Sequence, residues 1–412
     1  MIDTIEISNY KSIEKVKLEL GRVNLFIGEN GAGKSNLLEA ISLMSAAASN
    51  KLDNEFLLSR GIRVTAPQLM RSQFHKNTDL LPIKIDVLIK DFEPITFEIN
   101  NDNGHYSSWQ SNLKKNGKNA SEYTSKKFEN YIREPDADLD KILQQVTQFL
   151  EQARAIKSKL ESENKKSILN PFKDTDNTIS KIIINYQNEF RELPKELEDF
   201  VIYSPEQTAL RTFDQEGQIE PLGVKGEGLL KLLSVLSEID NGKAFNDISE
   251  RLKVLGWFES LRIAKDSSMS PVGMDISDNF TSESGKVFDH RSANEGFLFL
   301  IFYYALLSTN LTPSFFAIDN IDTSLNPKLC VELMKQLAGL ARKNNKQVLL
   351  TTHNPAVLDG MNLEDDDQRL FVVSRNLTGQ TRIKRIKKPK NVELKLSEMF
   401  MRGVLGGLPK GF

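Results

Sequence analysis

Strict alternation of apolar and polar residues marks "IKIDVLI" (Ile83, Ile85, Val87, Ile89) and "ITFEI" (Ile95, Phe97, Ile99). A period of two predicts half-buried antiparallel strands. The pattern upstream differs. The apolar run "VNLFIG" feeds a glycine-rich turn, and "SNLLEAISLM" continues as an amphipathic helix. Residues 1–100 therefore read as β-strands around one helix.

Between residues 101 and 199 the chain turns to Lys, Asn, Glu, Ser and Gln, and "NNDNGHYSSWQSNLKKNGKNAS" reads as an exposed loop. Beyond it, Leu139, Ile142, Val146, Phe149, Ala153, Ile156 and Leu160 alternate spacings of three and four. That is an a/d seam three heptads long, on an arm of about 33 Å at 1.5 Å per residue. Ile179, Ile183, Tyr186 and Phe190 repeat the pattern after "NPFKD", so a helical hairpin is expected. It is either a short projecting coiled coil or two amphipathic helices packed on the main domain.

From residue 200 strand and helix patterns resume, with two buried strands predicted at "SFFAID" and "QVLLTTH". Pro327 opens the helix between them, with Asn326 as its cap. The most apolar run, "GFLFLIFYYALL" from Gly296, falls well short of the ~20 residues a membrane span needs and predicts a buried core helix. The domain reading is 1–100, then an insertion at 101–199, then 200–412.

Composition narrows the class. The 412 residues carry 39% hydrophobic and 27% charged residues and a formal net charge of −2, an ordinary globular balance with no global footprint for nucleic acid. A single cysteine, Cys330, rules out a disulfide within the chain and fits a cytoplasmic protein. "MIDTIEISNYKSIE" carries acids and no apolar core, so no signal peptide is expected there.

The chemistry begins at "GENGAGKS". Gly28, Gly33, Lys34 and Ser35 fill the phosphate-loop pattern, preceded by a strand and followed by a helix. Its glycines let the amides from Asn30 through Gly31, Ala32, Gly33, Lys34 and Ser35 turn onto phosphates at a positive helix end, with Asn36 next in line. Lys34 would reach the β and γ phosphates, and Ser35 would coordinate Mg²⁺. The chain is thus expected to bind ATP with Mg²⁺. Asp319, ending "SFFAID", can hold the metal through water. His353 ends the next buried strand, in "TTHNP".

The order of "IEISNYKSIEKVKLEL", "GENGAGKSNLLEAI", "AIDNIDTSLNP" and "TTHNP" resembles the ABC-type ATPases of the RecF, SMC and OLD lineage. The resemblance covers residues 1–100 and 200–412. It implies an α/β P-loop ATPase head with an antiparallel β subdomain and a helical insertion. It also implies a dimer that sandwiches two ATP molecules, Asp319 at Mg²⁺, His353 near the γ-phosphate, and Lys11 close to the nucleotide. A signature helix would act across the dimer. "RSANEGFLFL" is its nearest match here, with Ser292, Asn294, Glu295 and Gly296. Ser292-x-x-Glu295 equally reads as a capping box. Gln68 and Gln73 both stand as the glutamine that would report on the γ-phosphate.

One position departs from the family. Hydrolysing relatives carry Glu after the metal aspartate, and this chain has Asn320. An amide accepts no proton as a carboxylate does, so slow turnover is expected, with Asp322 as the substitute base or as a residue of a dimer-facing loop. "LEDDDQ" invites a nuclease reading, but acid runs are usually solvated loops. "RIKRIKKPK" reads either as a phosphate contact or as a guarded edge strand. "YSPEQTALR", "PLGVKGEGLL" and "LSEMFMRGVLGGLP" resemble small ATPases of bacterial anti-phage systems. There the ATPase is a sensor or scaffold for a separate effector, often a nuclease. The alternatives are a RecF-like repair ATPase bound to nucleic acid and a non-hydrolysing, ATP-gated scaffold; no membrane partner is expected.

Overall fold

The computed structural model describes all residues except 76–77, 105, 133–177, 213–219, 266–270, 282–286, 388–393 and 409–412. The chain divides into two compact units, residues 1–92, 97–111 and 195–412, and residues 93–96 and 112–194.

In the first unit residues 2–19 form β1 (Ile2–Tyr10) and β2 (Ile13–Glu19), and the apolar run forms β3 (Val23–Ile27), buried at every position. β4 (Ile83–Ile89) and β5 (Ile95–Asn100) bury alternate residues, as a two-residue period requires. One sheet runs in the order β2-β1-β4-β5, with β1 antiparallel to both neighbours. The segment read as an exposed loop contains β6 (Gln110–Lys115). Trp109 just before it is buried, its ring under the Arg71 guanidinium at 5.1 Å. Polar composition hid that strand, because one aromatic anchored by a cation is not a periodic signal.

The strands that follow are β7 (Ile202–Tyr203), β8 (Phe258–Lys265), β9 (Pro271–Asp278), β10 (Val287–Asp289), β11 (Phe315–Ile318), β12 (Gln347–Thr352), β13 (Gln368–Arg375) and β14 (Thr381–Ile386). The central sheet has the order β14-β13-β3-β12-β11-β7. Neighbours from β13 to β7 run parallel, and β14 closes the edge antiparallel to β13. β8, β9 and β10 form a small third sheet in the order β10-β9-β8. Parallel strands are covered on both faces, so β3, β11 and β12 are buried at every position, and Asn24 is the polar residue within β3. Its amide is spent on the Gly21 carbonyl at 2.8 Å and that of Val348 at 3.2 Å.

The helix Glu295–Ser308 buries every residue from Phe297 to Leu307, as its all-round apolar sequence demands. The helix Pro327–Lys343 shows one apolar stripe, and Asn326 caps it by accepting from Leu329 N–H at 3.0 Å. Among the described residues no helix is long and apolar enough to cross a membrane.

In the second unit the helices Ala120–Ile132 and Thr178–Arg191 meet through Tyr123 and Phe190, whose rings are 5.2 Å apart. Glu189 accepts from Tyr123 Oη at 2.7 Å and Lys127 Nζ at 2.9 Å. The predicted seam from Leu139 to Leu160 and the "NPFKD" break lie outside the described residues, as do the side chains of Ile179 and Ile183.

Candidate nucleotide site

β3 delivers the loop 28–33 to the helix Lys34–Ala48, which starts on Gly33 at φ 109° with no side-chain cap. The first-turn amides, Lys34, Ser35 and Asn36, therefore have no partner from helix or cap. Gly28 admits no side chain, since a Cβ there would lie 2.0 Å from the Val373 carbonyl. Asn30 and Gly31 form the exposed tip, while Ala32 is buried and its carbonyl accepts from Thr381 Oγ1 at 2.9 Å.

Lys34 is 5% exposed and curls back onto its own loop. Its ammonium donates to the carbonyls of Gly28 at 2.8 Å and Glu29 at 3.0 Å, and lies 3.4 Å from His353 Nδ1. Burial pushes the amine down to about 8, against the upward pull of Asp319, Asp322 and Glu29. Burial, with the Lys34 cation beside it, also lowers His353. The imidazole is then neutral near pH 7. With Nδ1 accepting from Lys34, the proton sits on Nε2, which is a donor.

β11 and β12 bring the other groups to the same place. Ser35 Oγ donates to Asp319 Oδ2 at 3.1 Å, and Thr351 Oγ1 donates to Asp319 Oδ1. Asp322 Oδ1 accepts from Thr352 Oγ1 at 2.6 Å and from His353 N–H at 3.4 Å. Between them Asn320 stands at φ 57° and donates its N–H to Thr351 Oγ1 at 2.8 Å. A left-handed position favours Asn over Glu, which is a backbone reason for this residue. Serine and carboxylate oxygens side by side are a donor set suited to a hard divalent cation.

The threonines of β12 were not singled out in the sequence, although "TTHNP" carries them beside His353. Ser12, Glu39, Arg63 and Thr381 were missed as well. Ser12 Oγ accepts from Asn36 Nδ2 at 2.7 Å and pairs with Thr381 Oγ1 at 2.7 Å, tying the β1–β2 turn and β14 to the loop. Glu39, 2% exposed in the loop's helix, pairs with both Lys11 and Arg63 at 2.5 Å. Lys11, Ser12, Asn36, Arg63, Gln73, Phe74 and Arg375 line a cavity of about 510 Å³ beside the loop. Gln73 is in that lining, and Gln68 accepts from it through its carbonyl at 3.0 Å.

The signature residues stand elsewhere in the unit. The alternative reading of Ser292 and Glu295 as a capping box does not hold. Asn294 is the cap, accepting from Phe297 N–H at 2.9 Å, and Ser292 belongs to a short turn capped by Asp289. Ser292 lies two residues too early, because the turn His290–Ser292 ends before the helix begins. Glu295 instead accepts from Ser324 Oγ at 2.8 Å. A Cβ on Gly296 would lie 3.1 Å from the Ser324 carbonyl. These residues, with Trp257 and Asn326, line a cavity of about 620 Å³. Arg211, in "YSPEQTALR", holds the approach to the helix by donating to the carbonyls of His290, Arg291 and Ala293.

The acidic run is occupied by cations. Asp365 and Asp367 pair with Arg342, and Asp366 pairs with Arg385. Among the described residues no group of three or more acids, histidines or cysteines could hold a metal ion. The basic run lies on the edge strand β14, up to the residues outside the description.

The family model described as "AAA domain, putative AbiEii toxin, Type IV TA system" matches residues 23–359. An uncharacterised protein of Methanocaldococcus jannaschii is 32% identical over 142 residues, 33% of this chain and 62% of that protein. The DNA replication and repair protein RecF of Bacillus velezensis is 40% identical over 60 residues, 14% of this chain and 16% of RecF. A crystal structure of an Smc head bound to the C-terminal winged-helix domain of ScpA superposes at a TM-score of 0.53 with 15% identity, over 95% of this chain and 99% of that one. The fold is that of an SMC-type ATPase head.

Proposed function

The chain belongs to the P-loop AAA-domain family that its residues 23–359 match, and we propose that it is an ATP-binding, dimerising ATPase serving a separate effector in bacterial anti-phage defence. The convergence of Ser35, Asp319, Lys34 and His353 on one loop carries this reading. A triphosphate would draw the Lys34 ammonium from the Gly28 and Glu29 carbonyls, and the uncapped amides of the helix start would take phosphate oxygens. Ser35 and Asp319 would hold Mg²⁺, which when bound neutralises charge on the phosphates. The neutral His353 presents Nε2–H to the terminal phosphate.

Asn320 orients water without taking its proton, and Asp322 is already engaged by Thr352 and the His353 amide. Turnover on this reading is slow and the ATP-bound state long-lived. The Gly296 helix end would meet the second copy's nucleotide. The toxin–antitoxin description of the family fits a second protein acting alongside this one. A nuclease effector in the cytoplasm is the form we favour.

The deciding experiment is steady-state phosphate release by the purified protein with ATP and Mg²⁺, with Lys34→Ala as blank, alongside light scattering for dimerisation. Absence of both phosphate release above the blank and ATP-dependent dimerisation would sink the proposal. The RecF similarity supports a second reading, an ATPase acting on DNA. Turnover stimulated by gapped DNA, with binding that weakens steeply in salt, would favour it.

A further inference from the structure

The C-terminal segment reaches both the loop at Gly28 and the turn that follows His353. Its helix, Leu396–Met401, is anchored by Ser397, whose N–H and hydroxyl donate to the Asp359 carboxylate at 2.9 and 2.7 Å. Asp359 lies in the turn Pro355–Gly360, which begins two residues after His353. Met399, Phe400 and Leu405 are buried, so the segment is packed down. The chain then passes through Gly403, Gly406 and Gly407 at φ 72°, 78° and 82°, a left-handed path that glycine takes freely.

At Gly407 the turn packs directly on β13 and lies in contact range of the loop. A Cβ there would lie 2.5 Å from Val372 Cγ1 and 3.7 Å from Gly28 Cα. Gly28 is thus held between β13 and the C-terminal turn, and its carbonyl is the one that accepts from Lys34 at 2.8 Å.

We propose that residues 396–408 form a strap that couples occupancy of the phosphate loop to the turn after His353. The inference rests on the nucleotide reading above. Phosphate competes for Lys34, releases the Gly28 carbonyl and lets the loop re-aim. Gly28 and Gly407 have no side chains to absorb that motion by rotating, so it passes into the strap and on to its anchor at Asp359. Linkage makes the coupling reciprocal, so loosening the strap weakens nucleotide binding by the factor with which nucleotide orders the strap.

Hydrogen exchange of the full chain tests this, with and without ATP and Mg²⁺ and with Lys34→Ala as blank. Residues 28–36 are expected to gain protection, and residues 396–408 to slow their exchange by about fivefold or more, the lower end of ordinary coupling. Asp359→Ala, which removes the anchor, should raise the Kd for ATP by about fivefold while residues 28–36 stay protected at saturation. Protection at 28–36 with unaltered exchange at 396–408 overturns the strap, as does an unchanged Kd in Asp359→Ala. Protection at neither place overturns the nucleotide reading itself, and the strap with it.

Discussion

Two helix starts in the first unit are built in opposite ways. The helix Lys34–Ala48 begins on a glycine with no side-chain cap, so its amides are left for something outside the protein. The helix Glu295–Ser308 begins on Asn294, which already takes the Phe297 amide, and its Gly296 is kept small by the Ser324 carbonyl of its own chain. The first start is unfinished without a ligand. The second is finished locally and offers the amides of Glu295 and Gly296 from a pre-shaped surface. On the proposed reading, a binding site and an interface edge place different demands on the same structural element.

The sharpest way to break that contrast is to empty the first site. Lys34→Ala removes a buried charge-assisted donor worth up to about 3 kcal/mol. ATP affinity, read by calorimetry, should then fall by roughly two orders of magnitude. An unchanged affinity would mean that the loop does not hold phosphate. Asn320→Glu acts next to it on chemistry. Supplying the carboxylate should raise phosphate release by about 10²-fold, the lower end for a general base. The same change places a side chain of poor left-handed tendency at φ 57°, so melting should report a loss of about 1 kcal/mol. Turnover that stays flat would assign the slow step elsewhere, with Asp322→Ala the next variant.

The second helix start is tested by Gly296→Ala. The added methyl meets the Ser324 carbonyl at 3.1 Å and thickens the surface offered to a second copy. ATP-dependent dimerisation should weaken about tenfold, or 1.4 kcal/mol, while ATP affinity of the monomer stays the same. If only the melting temperature falls, Gly296 serves its own chain's packing and the signature reading fails.

The first start was legible because its pattern is local. Four residues at fixed spacing between a strand and a helix specify the loop, and β3 with its helix lies where "VNLFIG" and "SNLLEAISLM" put them. Strands β4, β5, β11 and β12 were equally plain, since alternation and apolar runs follow directly from one-sided and two-sided burial. At the second start the alternative capping box on Ser292 fails by two residues, because Ser292 and Asn294 are both good caps and only the intervening turn decides. Contacts made across the chain were invisible. Ser12 and Thr381 are 369 residues apart, Ser35 and Asp319 are 284 apart, and no spacing rule joins either pair. Asn320 was noticed for the carboxylate it lacks, whereas its left-handed backbone supplies a reason that only coordinates show.

The smallest expected effect separates the two starts by pH. Burial sets the Lys34 amine to about 8 in the free protein, far below an exposed lysine. Bound phosphate favours its charged form, so the complex keeps the proton that the free protein sheds above pH 8. Affinity should be level below that pH through this group and decline above it, by roughly fourfold at pH 8.5. Calorimetry in buffers of different ionisation enthalpy would read proton uptake on binding there. Folding responds with the opposite sign, since between pH 8 and about 10.4 the unfolded chain holds a proton that the folded one lacks, and stability through Lys34 rises with pH. No titrating group is assigned to the Gly296 helix start, so dimerisation measured at saturating ATP should hold constant over the same half unit. A decline in dimerisation matching that in affinity would mean that the two starts are not separable, and that the lysine loop reaches the interface itself.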